Sequence, residues 1–242
     1  MARCSPHWVF VSSLIALALL SGCRDRTPAE NARAMLPGLL RQLKDPDPEL
    51  RARATDQIRG LGIAHTKDAV PHLIANFDDE NEKAREYAAQ AVAFYGADAL
   101  PGVMEAARSD SPRRRAMAFV ALGGFPGEVK QMVVAESIPL LAKGLEDDDS
   151  EVRRHAATAL RFHGSMARST VPLQVSRIGK EKDRFILGMI IKGLGEMGPD
   201  AKEALPALKE FAAHSDEDPQ LREVAARAIV FIEGRDMEEA GK

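Results

Sequence analysis

The sequence predicts an all-α fold, a right-handed α-solenoid of about six helical hairpins, from its internal period and its composition. The chain is 45% hydrophobic but only 5% aromatic, which suits a stack of small helices better than one large core. An aliphatic–proline pair recurs about every thirty-odd residues, the signature of a repeat protein. The pairs are Leu36-Pro37, Val70-Pro71, Leu100-Pro101, Ile138-Pro139, Val171-Pro172 and Leu205-Pro206.

Each proline is expected in the first turn of the first helix of a hairpin, where the N–H that proline lacks has no helical partner. An acid follows in the turn, and an arginine six residues after that acid opens the second helix. Glycine is the expected stop of the second helix. The predicted stops are Gly62, Gly96, Gly164, Gly195 and Gly234.

The acids and arginines predict a structural ladder in which Asp–Arg pairs bridge the turns of neighbouring repeats. Repeat 3 has Ser109 in place of the acid, and repeat 5 has Lys180 with a shorter turn. Arg153 is predicted to pair with Asp147 and with a neighbouring turn. The predicted ladder residues are Asp45, Asp79, Asp147 and Asp216 with Arg51, Arg85, Arg115, Arg153, Arg184 and Arg222.

The order of proline, acid, Val/Leu-Arg, alanine-rich centre and glycine resembles HEAT repeats. An example of the centre is Ala156-Ala157-Thr158-Ala159-Leu160. The resemblance is closest to the short, alanine-rich repeats named after phycobilisome lyases, and it covers about Ala34 to Gly234. It implies a solenoid that builds binding surfaces, because such repeats mostly serve protein interaction.

The N-terminus predicts a lipoprotein signal peptide at residues 1–22. An apolar run too short for a comfortable transmembrane helix ends in Leu20-Ser21-Gly22-Cys23, which resembles a bacterial lipobox. The resemblance implies lipidation of Cys23, cleavage before it and acylation, for example with palmitate, giving stable membrane attachment. The alternatives are an ordinary signal peptide, or an anchor with a chance cysteine.

The rest of the chain divides into a lipidated tether at 23–33, the solenoid at 34–234 and a charged tail at 235–242. Arg24 rather than aspartate follows the cysteine. By resemblance to Gram-negative lipoproteins, this favours the outer membrane, periplasmic side, within a bacterial cell envelope. The segment after Gly123-Gly124-Phe125-Pro126-Gly127 is an insertion and the expected place for a bend.

The sequence predicts no enzyme, no cofactor and no metal site. His155 and His163 are eight residues apart, too far along one helix to chelate one ion, and are expected to be surface or ladder residues. A net charge of −3 argues against nucleic acid. We expect a monomeric scaffold with an unknown protein partner. The alternative is an enzyme-accessory or cofactor-handling protein, as in the phycobilin-lyase and di-iron relatives.

A partner site is predicted on the second helix of repeat 5. Aligning Arg184 with Arg153 and Gly195 with Gly164 puts apolar residues where repeat 4 is polar. Because these arrays line their concave surface with second helices, an exposed apolar patch is expected there. The alternative is that the short turn shifts the helix and buries these residues. The predicted patch consists of Phe185, Ile186, Met189 and Phe162, rimmed by Arg154 and Arg161.

Overall fold

The computed structural model describes residues 27–214 and 218–234, and that part of the chain is helical with no strand. The helices form two layers. First helices are α1 (Pro28–Gln42), α3 (Val70–Ala75), α5 (Leu100–Ala106), α7 (Gly127–Gly144), α9 (Val171–Ile178) and α11 (Leu205–Ala213). Second helices are α2 (Pro48–Gly60), α4 (Glu82–Phe94), α6 (Pro112–Gly124), α8 (Ser150–His163), α10 (Arg184–Glu196) and α12 (Pro219–Glu233).

Each second helix packs on the second helix of the next repeat, so the described part of the chain is an α-solenoid of six hairpins. The contact surface consists mainly of alanine and aliphatic side chains, and Ala88, Ala118 and Ala156 are fully buried. Small residues let the helices approach closely, and the apolar stripe of one hairpin is covered by its neighbours. The predicted fold class is confirmed.

The start of each second helix fixes the register of the repeats. The N-cap residues, whose side chains accept hydrogen bonds from backbone N–H groups of the first turn, are Asp47, Asn81, Ser111, Asp149, Asp183 and Asp218. Short polar side chains are favoured there because those N–H groups have no helical acceptor. Equivalent positions in different repeats are therefore counted from these residues.

Glycines with positive φ follow five of the six second helices in the described residues, and the predicted set differs from these glycines at one position. The positive-φ glycines are Gly62, Gly96, Gly164, Gly198 and Gly234. Gly195 lies inside α10, so the predicted stop of repeat 5 was wrong by three residues. A Cβ added to Gly195 would lie 2.9 Å from the Cα and Cβ of Ala228. Gly195 therefore serves the close approach of α10 and α12.

The prolines follow the prediction in four first helices and depart from it in two. Pro71, for example, stands at the N-terminus of α3 as expected. Pro37 and Pro139 instead lie inside α1 and α7, because both helices begin well before the proline. In α1 the start is fixed by a capping box between Thr27 and Glu30. Residues 28–33 therefore belong to the first helix and not to the predicted tether.

The insertion after repeat 3 is an N-terminal extension of α7. Residues 127–137 continue without a break into the helix that contains Pro139. Val133 is buried, and Val129 lies beside Gly96, where an added Cβ would be 3.2 Å from the Val129 Cγ2. The extension therefore reaches back to the end of α4, two repeats earlier.

Candidate functional site

The predicted patch on repeat 5 is only partly exposed. Phe185 is 56% exposed, whereas Ile186 is 1% exposed and Met189 is partly buried against the core. Ile186 therefore cannot belong to an exposed patch, and that part of the prediction was wrong. The N-cap register shows why, since Ile186 is equivalent to the buried Val152 of repeat 4.

The rim residues of the patch lie on α8. Arg154 pairs with Glu151 at 2.8 Å on its own helix, and Arg161 pairs with Glu196 of α10 at 2.8 Å. Phe162 is 55% exposed, and the Arg161 guanidinium lies 5.6 Å from its ring centroid. The Arg161 charge therefore lies near an exposed aromatic ring, within the range of cation–π attraction.

The ladder prediction can be compared with the contacts rung by rung, where a rung is the ion pair between an arginine and the carboxylate of the next repeat. The Arg51 guanidinium donates to both Asp79 carboxylate oxygens at 2.5 and 2.6 Å, and Arg115 to both oxygens of Asp147 at 2.9 Å. Arg51 also donates to the Asp45 carbonyl of its own turn. Each rung arginine thus ties its own turn to the next repeat.

Arg153 makes the third rung, with an acid that the sequence analysis missed. Its guanidinium donates to the Asp147 carbonyl at 2.9 Å and to the Glu181 carboxylate at 3.0 and 3.4 Å. Glu181 also accepts from Arg177 at 2.9 Å, and its side chain is 2% exposed. The sequence spacing could have identified this acid, because Glu181 stands two residues before the N-cap Asp183, as Asp147 does before the N-cap Asp149.

Glu181 remains ionised because its partners outweigh its burial. Burial alone would raise its pKa, but hydrogen bonds from Arg153, the Asp183 backbone and Arg177 lower the pKa below the usual range. Asp147 behaves alike, since burial opposes ionisation while hydrogen bonds from Arg115 and the Asp149 backbone lower its pKa. Asp147 and Glu181 therefore carry full charge at neutral pH.

Two predicted ladder arginines make other contacts. Repeat 3 has Ser109 at the position where a carboxylate would pair with Arg85, and within the described residues the Arg85 guanidinium donates to the Glu80 carbonyl at 3.4 Å. Arg184 is the first residue of α10 and pairs with the N-cap Asp218 of repeat 6. Arg184 thus bridges to the next repeat, as predicted for a ladder arginine. It does so from the first turn of α10, because the position equivalent to Arg153 in repeat 5 is Leu187, three residues later.

Repeats 2 and 3 are joined by a different set of polar contacts. Asp78 accepts a hydrogen bond from Ser111 and pairs with Arg114 at 3.4 Å. The acid thus comes from the earlier repeat and the donors from the later one, the reverse of a rung. Among the other predicted ladder residues, Arg222 is part of α12. Asp216 lies outside the described residues, as does the predicted lipidation site Cys23.

Exposed aromatic residues lie on one side of the solenoid. In the described part of the chain, every aromatic side chain is either buried or at least 44% exposed, and each of the exposed ones belongs to a second helix. The sequence analysis named only two of them. The exposed aromatics are Tyr87, Phe94, Phe162, Phe185 and Phe231.

Three of these phenylalanines occupy the same repeat position. Phe94, Phe162 and Phe231 each stand thirteen residues after the N-cap of their helix. Repeats 1 and 3 have Gly60 and Gly124 there. The same row appears when residues are counted from Arg85, Arg153 and Arg222, each nine residues before its phenylalanine, so it could have been found from the sequence.

The second-helix surface is concave around repeat 3. A cavity of about 140 Å³ is lined by Glu86 and Gln90 of α4 and by His155, Thr158 and Phe162 of α8. Val120 of α6 also lines it. Because α4 and α8 are two repeats apart and still share one cavity, their side chains converge over α6.

A larger cavity of about 400 Å³ continues the groove toward the N-terminus. It is lined by residues of α2 and α4, among them Arg53, Tyr87 and Gln90. Gln90 lines both cavities, so they form one groove across repeats 1 to 4. Phe94 stands at its edge, with the Arg59 guanidinium 5.6 Å from the ring centroid.

Of the two histidines of α8, His163 is buried, whereas His155 is partly buried and lines the cavity on the second-helix surface. His163 is 2% exposed, with its Nε2 3.5 Å from the Ser137 Oγ. Burial lowers its pKa to about 4, helped by the positive charge of Lys130. Burial likewise lowers the pKa of His155 to about 4, with Arg154 adding to the effect. Both are neutral at neutral pH, and the expectation of a surface or ladder residue was wrong for His163.

Residues 27–214 and 218–234 contain neither a metal-binding group nor a membrane span. Within these ranges, no three His, Cys, Asp or Glu side chains are grouped so that they could hold a metal ion. No helix within them combines the length and the apolar character needed to cross a membrane.

Comparisons with known proteins agree with this geometry. A family model for HEAT repeats matches residues 36–123, 101–174 and 138–230. The chain belongs to the HEAT-repeat family. A search of curated protein sequences found no match for this HEAT-repeat chain.

Several solved structures share the fold of this HEAT-repeat chain. An engineered protein aligns with 20% identity and a TM-score of 0.57, covering 81% of this chain and 96% of its own. A designed armadillo repeat protein in complex with the peptide (KR)4 aligns with 18% identity and a TM-score of 0.55, covering 81% and 99%. A computationally designed armadillo repeat protein for modular peptide recognition aligns with 18% identity and a TM-score of 0.55. The alignment covers 83% of this chain and 100% of that chain. At such identities the likeness is one of fold.

Proposed function

We propose that this chain is a non-catalytic, lipid-anchored scaffold of the bacterial cell envelope that binds a protein partner on its concave second-helix surface. The observation that carries the binding role is the confinement of exposed aromatic side chains, within the described residues, to the second helices. Aromatic side chains left in water cost free energy that burial by a partner would recover. Groups of exposed apolar residues with charges around them mark interaction surfaces.

The groove across repeats 1 to 4 is the part of this surface best suited to a partner. It has polar groups such as Gln90 within the cavities and aromatic rings, Tyr87 and Phe162, at its walls. Aromatic residues surrounded by polar groups are typical of the residues that dominate binding energy at interfaces. The designed armadillo proteins show that a repeat stack of this shape can be built to take a peptide.

The envelope location rests on the lipobox-like Leu20-Ser21-Gly22-Cys23. Replacing Cys23 with serine is expected to release the protein from membranes or to leave it unprocessed. Normal processing and membrane fractionation of that variant would end the anchoring proposal without affecting the binding surface.

Partner binding is tested by Phe94→Glu combined with Phe162→Glu. Both rings are more than half exposed, so the melting temperature is expected to change little. The amount of partner captured by photocrosslinking in the native envelope is expected to fall at least tenfold. This is the change in affinity that follows from the loss of one modest interface anchor. The matched control is Met132→Glu, because Met132 is 71% exposed but lies on the first helix α7. Equal capture by all three proteins would refute this surface.

A further inference from the structure

Charge is divided unevenly along the chain. Residues 23–44 contain five basic and two acidic residues, a net charge of +3. Residues 45–242 contain 27 basic and 34 acidic residues, a net charge of −7. The segment that follows the proposed lipid anchor is therefore positive, and the remainder is negative.

The positive charges of α1 lie on its outer side. Arg33 and Arg41 are eight residues apart, slightly more than two helical turns, and thus share one face. Lys44 follows in the turn at a spacing of three residues, which continues the same stripe. The opposite face of α1 carries Leu36 and Leu39, which are buried in the core.

In the part of the chain that the structure describes, these three cations have no competing partner. Arg33, Arg41 and Lys44 are exposed, and none forms an ion pair or a side-chain hydrogen bond within residues 27–214 and 218–234. Elsewhere in the solenoid, arginines such as Arg51 and Arg153 are held by carboxylates. The stripe is thus available to bind an external anion.

The proposed anchor brings this stripe to the membrane. Five residue steps separate Cys23 from Pro28, the start of α1, and even fully extended they reach at most about 18 Å. Helix α1 has 15 residues and is therefore about 22 Å long. A lipid on Cys23 would hold α1 within reach of the headgroups, where electrostatic attraction acts over about 8–10 Å.

We propose that Arg33, Arg41 and Lys44 form a second membrane contact, which binds the headgroups of anionic phospholipids and holds α1 against the bilayer. The inference rests on the proposed lipid anchor. A bilayer is favoured over a soluble anionic partner because the stripe adjoins the lipidation site. The negative body of the solenoid is repelled by the same surface, so the second-helix groove is held away from the lipid.

The test uses the mature lipoprotein with Ala34→Cys, which carries an environment-sensitive dye on the exposed side of α1. The protein is reconstituted into vesicles of phosphatidylcholine with or without phosphatidylglycerol. Phosphatidylglycerol is expected to shield the dye from a neutral aqueous quencher, and high salt to reverse this because it shortens the screening length to about 3 Å. A dye at Gln220→Cys, on the last repeat, is expected to be quenched equally in both.

The combined variant Arg33→Gln, Arg41→Gln and Lys44→Gln is expected to abolish the shielding. Its matched control, Lys180→Gln with Lys182→Gln and Lys192→Gln, removes the same charge from exposed sites in repeat 5 and is expected to retain it. Equal quenching of the dye on α1 in vesicles with and without phosphatidylglycerol would overturn the proposal. An equal loss of shielding in the combined variant and in its control would also overturn it.

Mass spectrometry of the N-terminus separates this outcome from failure of the anchor. If Cys23 carries no lipid, unlabelled protein is sedimented with the same vesicles from solution. Binding is then expected to depend on phosphatidylglycerol and to fall about 100-fold without the three cations, at about fivefold each. Binding that does not depend on phosphatidylglycerol would overturn the inference by itself.

Discussion

At the scale of single residues, the neighbouring arginines Arg153 and Arg154 of α8 differ in the groups to which they bind. The Arg153 side chain is 17% exposed and connects two carbonyls of its own turn to the buried Glu181. Arg154 is 31% exposed and pairs with Glu151 on the helix surface. Exposed ion pairs of that kind contribute little to stability, whereas buried acceptors that lose a donor are costly.

Arg153→Ala is therefore expected to lower the free energy of unfolding by on the order of 1–3 kcal/mol, because two carbonyls lose this donor and the buried Glu181 loses one of its donors. Arg154→Ala is expected to change it by less than about 1 kcal/mol. Urea unfolding of both variants at neutral pH measures the difference. Comparable losses in the two would mean that the Glu181 rung does not stabilise the stack.

At the scale of elements, the packing of α10 on α12 depends on Gly195. Alanine is favoured over glycine within a helix by about 1 kcal/mol, so propensity alone would make Gly195→Ala stabilising. The added Cβ would instead lie 2.9 Å from Ala228 backbone and side-chain carbons. The two helices would have to separate, which typically costs about 1–3 kcal/mol.

We thus expect Gly195→Ala to lower the melting temperature. Gly60→Ala provides the control, because an added Cβ at Gly60, also within a second helix, has no atom within 4 Å. That variant is expected to melt at the same temperature or higher. Thermal unfolding followed by circular dichroism tests both, and a stabilised Gly195→Ala would contradict the packing argument.

Helix ends that are determined by a single local residue could be predicted from the sequence. Helix ends at which several neighbouring residues could play the same role could not. Pro71 and Gly96 mark helix ends by their own backbone restrictions, which sequence shows directly. In repeat 5 more than one residue could fill the same role. Lys180 and Glu181 are adjacent near the position of the ladder acid, and Gly195 and Gly198 could each end the second helix. Only the N-cap Asp183 resolves the register, and with it the burial of Ile186.

At the scale of the whole molecule, repeats 2 to 4 form a block within the array. The side chains of α4 and α8 share a cavity over α6, and Val129 of the α7 extension lies beside Gly96. Lys130 of the same extension donates to the Phe162 carbonyl at 3.4 Å. Links that skip a repeat are unusual in a solenoid, where stability otherwise depends on nearest neighbours.

Hydrogen exchange is therefore expected to be slowest in α4, α6 and α8 and faster in the terminal hairpins. Val129→Ala is expected to speed exchange in these three helices while α10 and α12 change little. Met132→Ala, an exposed position on the same helix, should leave all of them unchanged. A uniform acceleration of hydrogen exchange along the chain would mean that the extension does not define a separate block.

The position of the insertion was evident from sequence, but its long-range contact was not, because nothing local specifies which earlier repeat it meets.

The rungs have a consequence for how such a chain could lengthen by gene duplication. Among the described residues, Asp45 opens the series with a carboxylate that no earlier arginine reaches, and the Nε of Arg222 closes it buried and without a hydrogen bond. The two ends are thus complementary halves of the same ion pair. A duplicated hairpin such as repeat 4 brings its own acid, Asp147, and its own arginine, Arg153. Spliced next to its parent, it would receive a partner on each side, so the array could gain this unit without creating an unmatched charge.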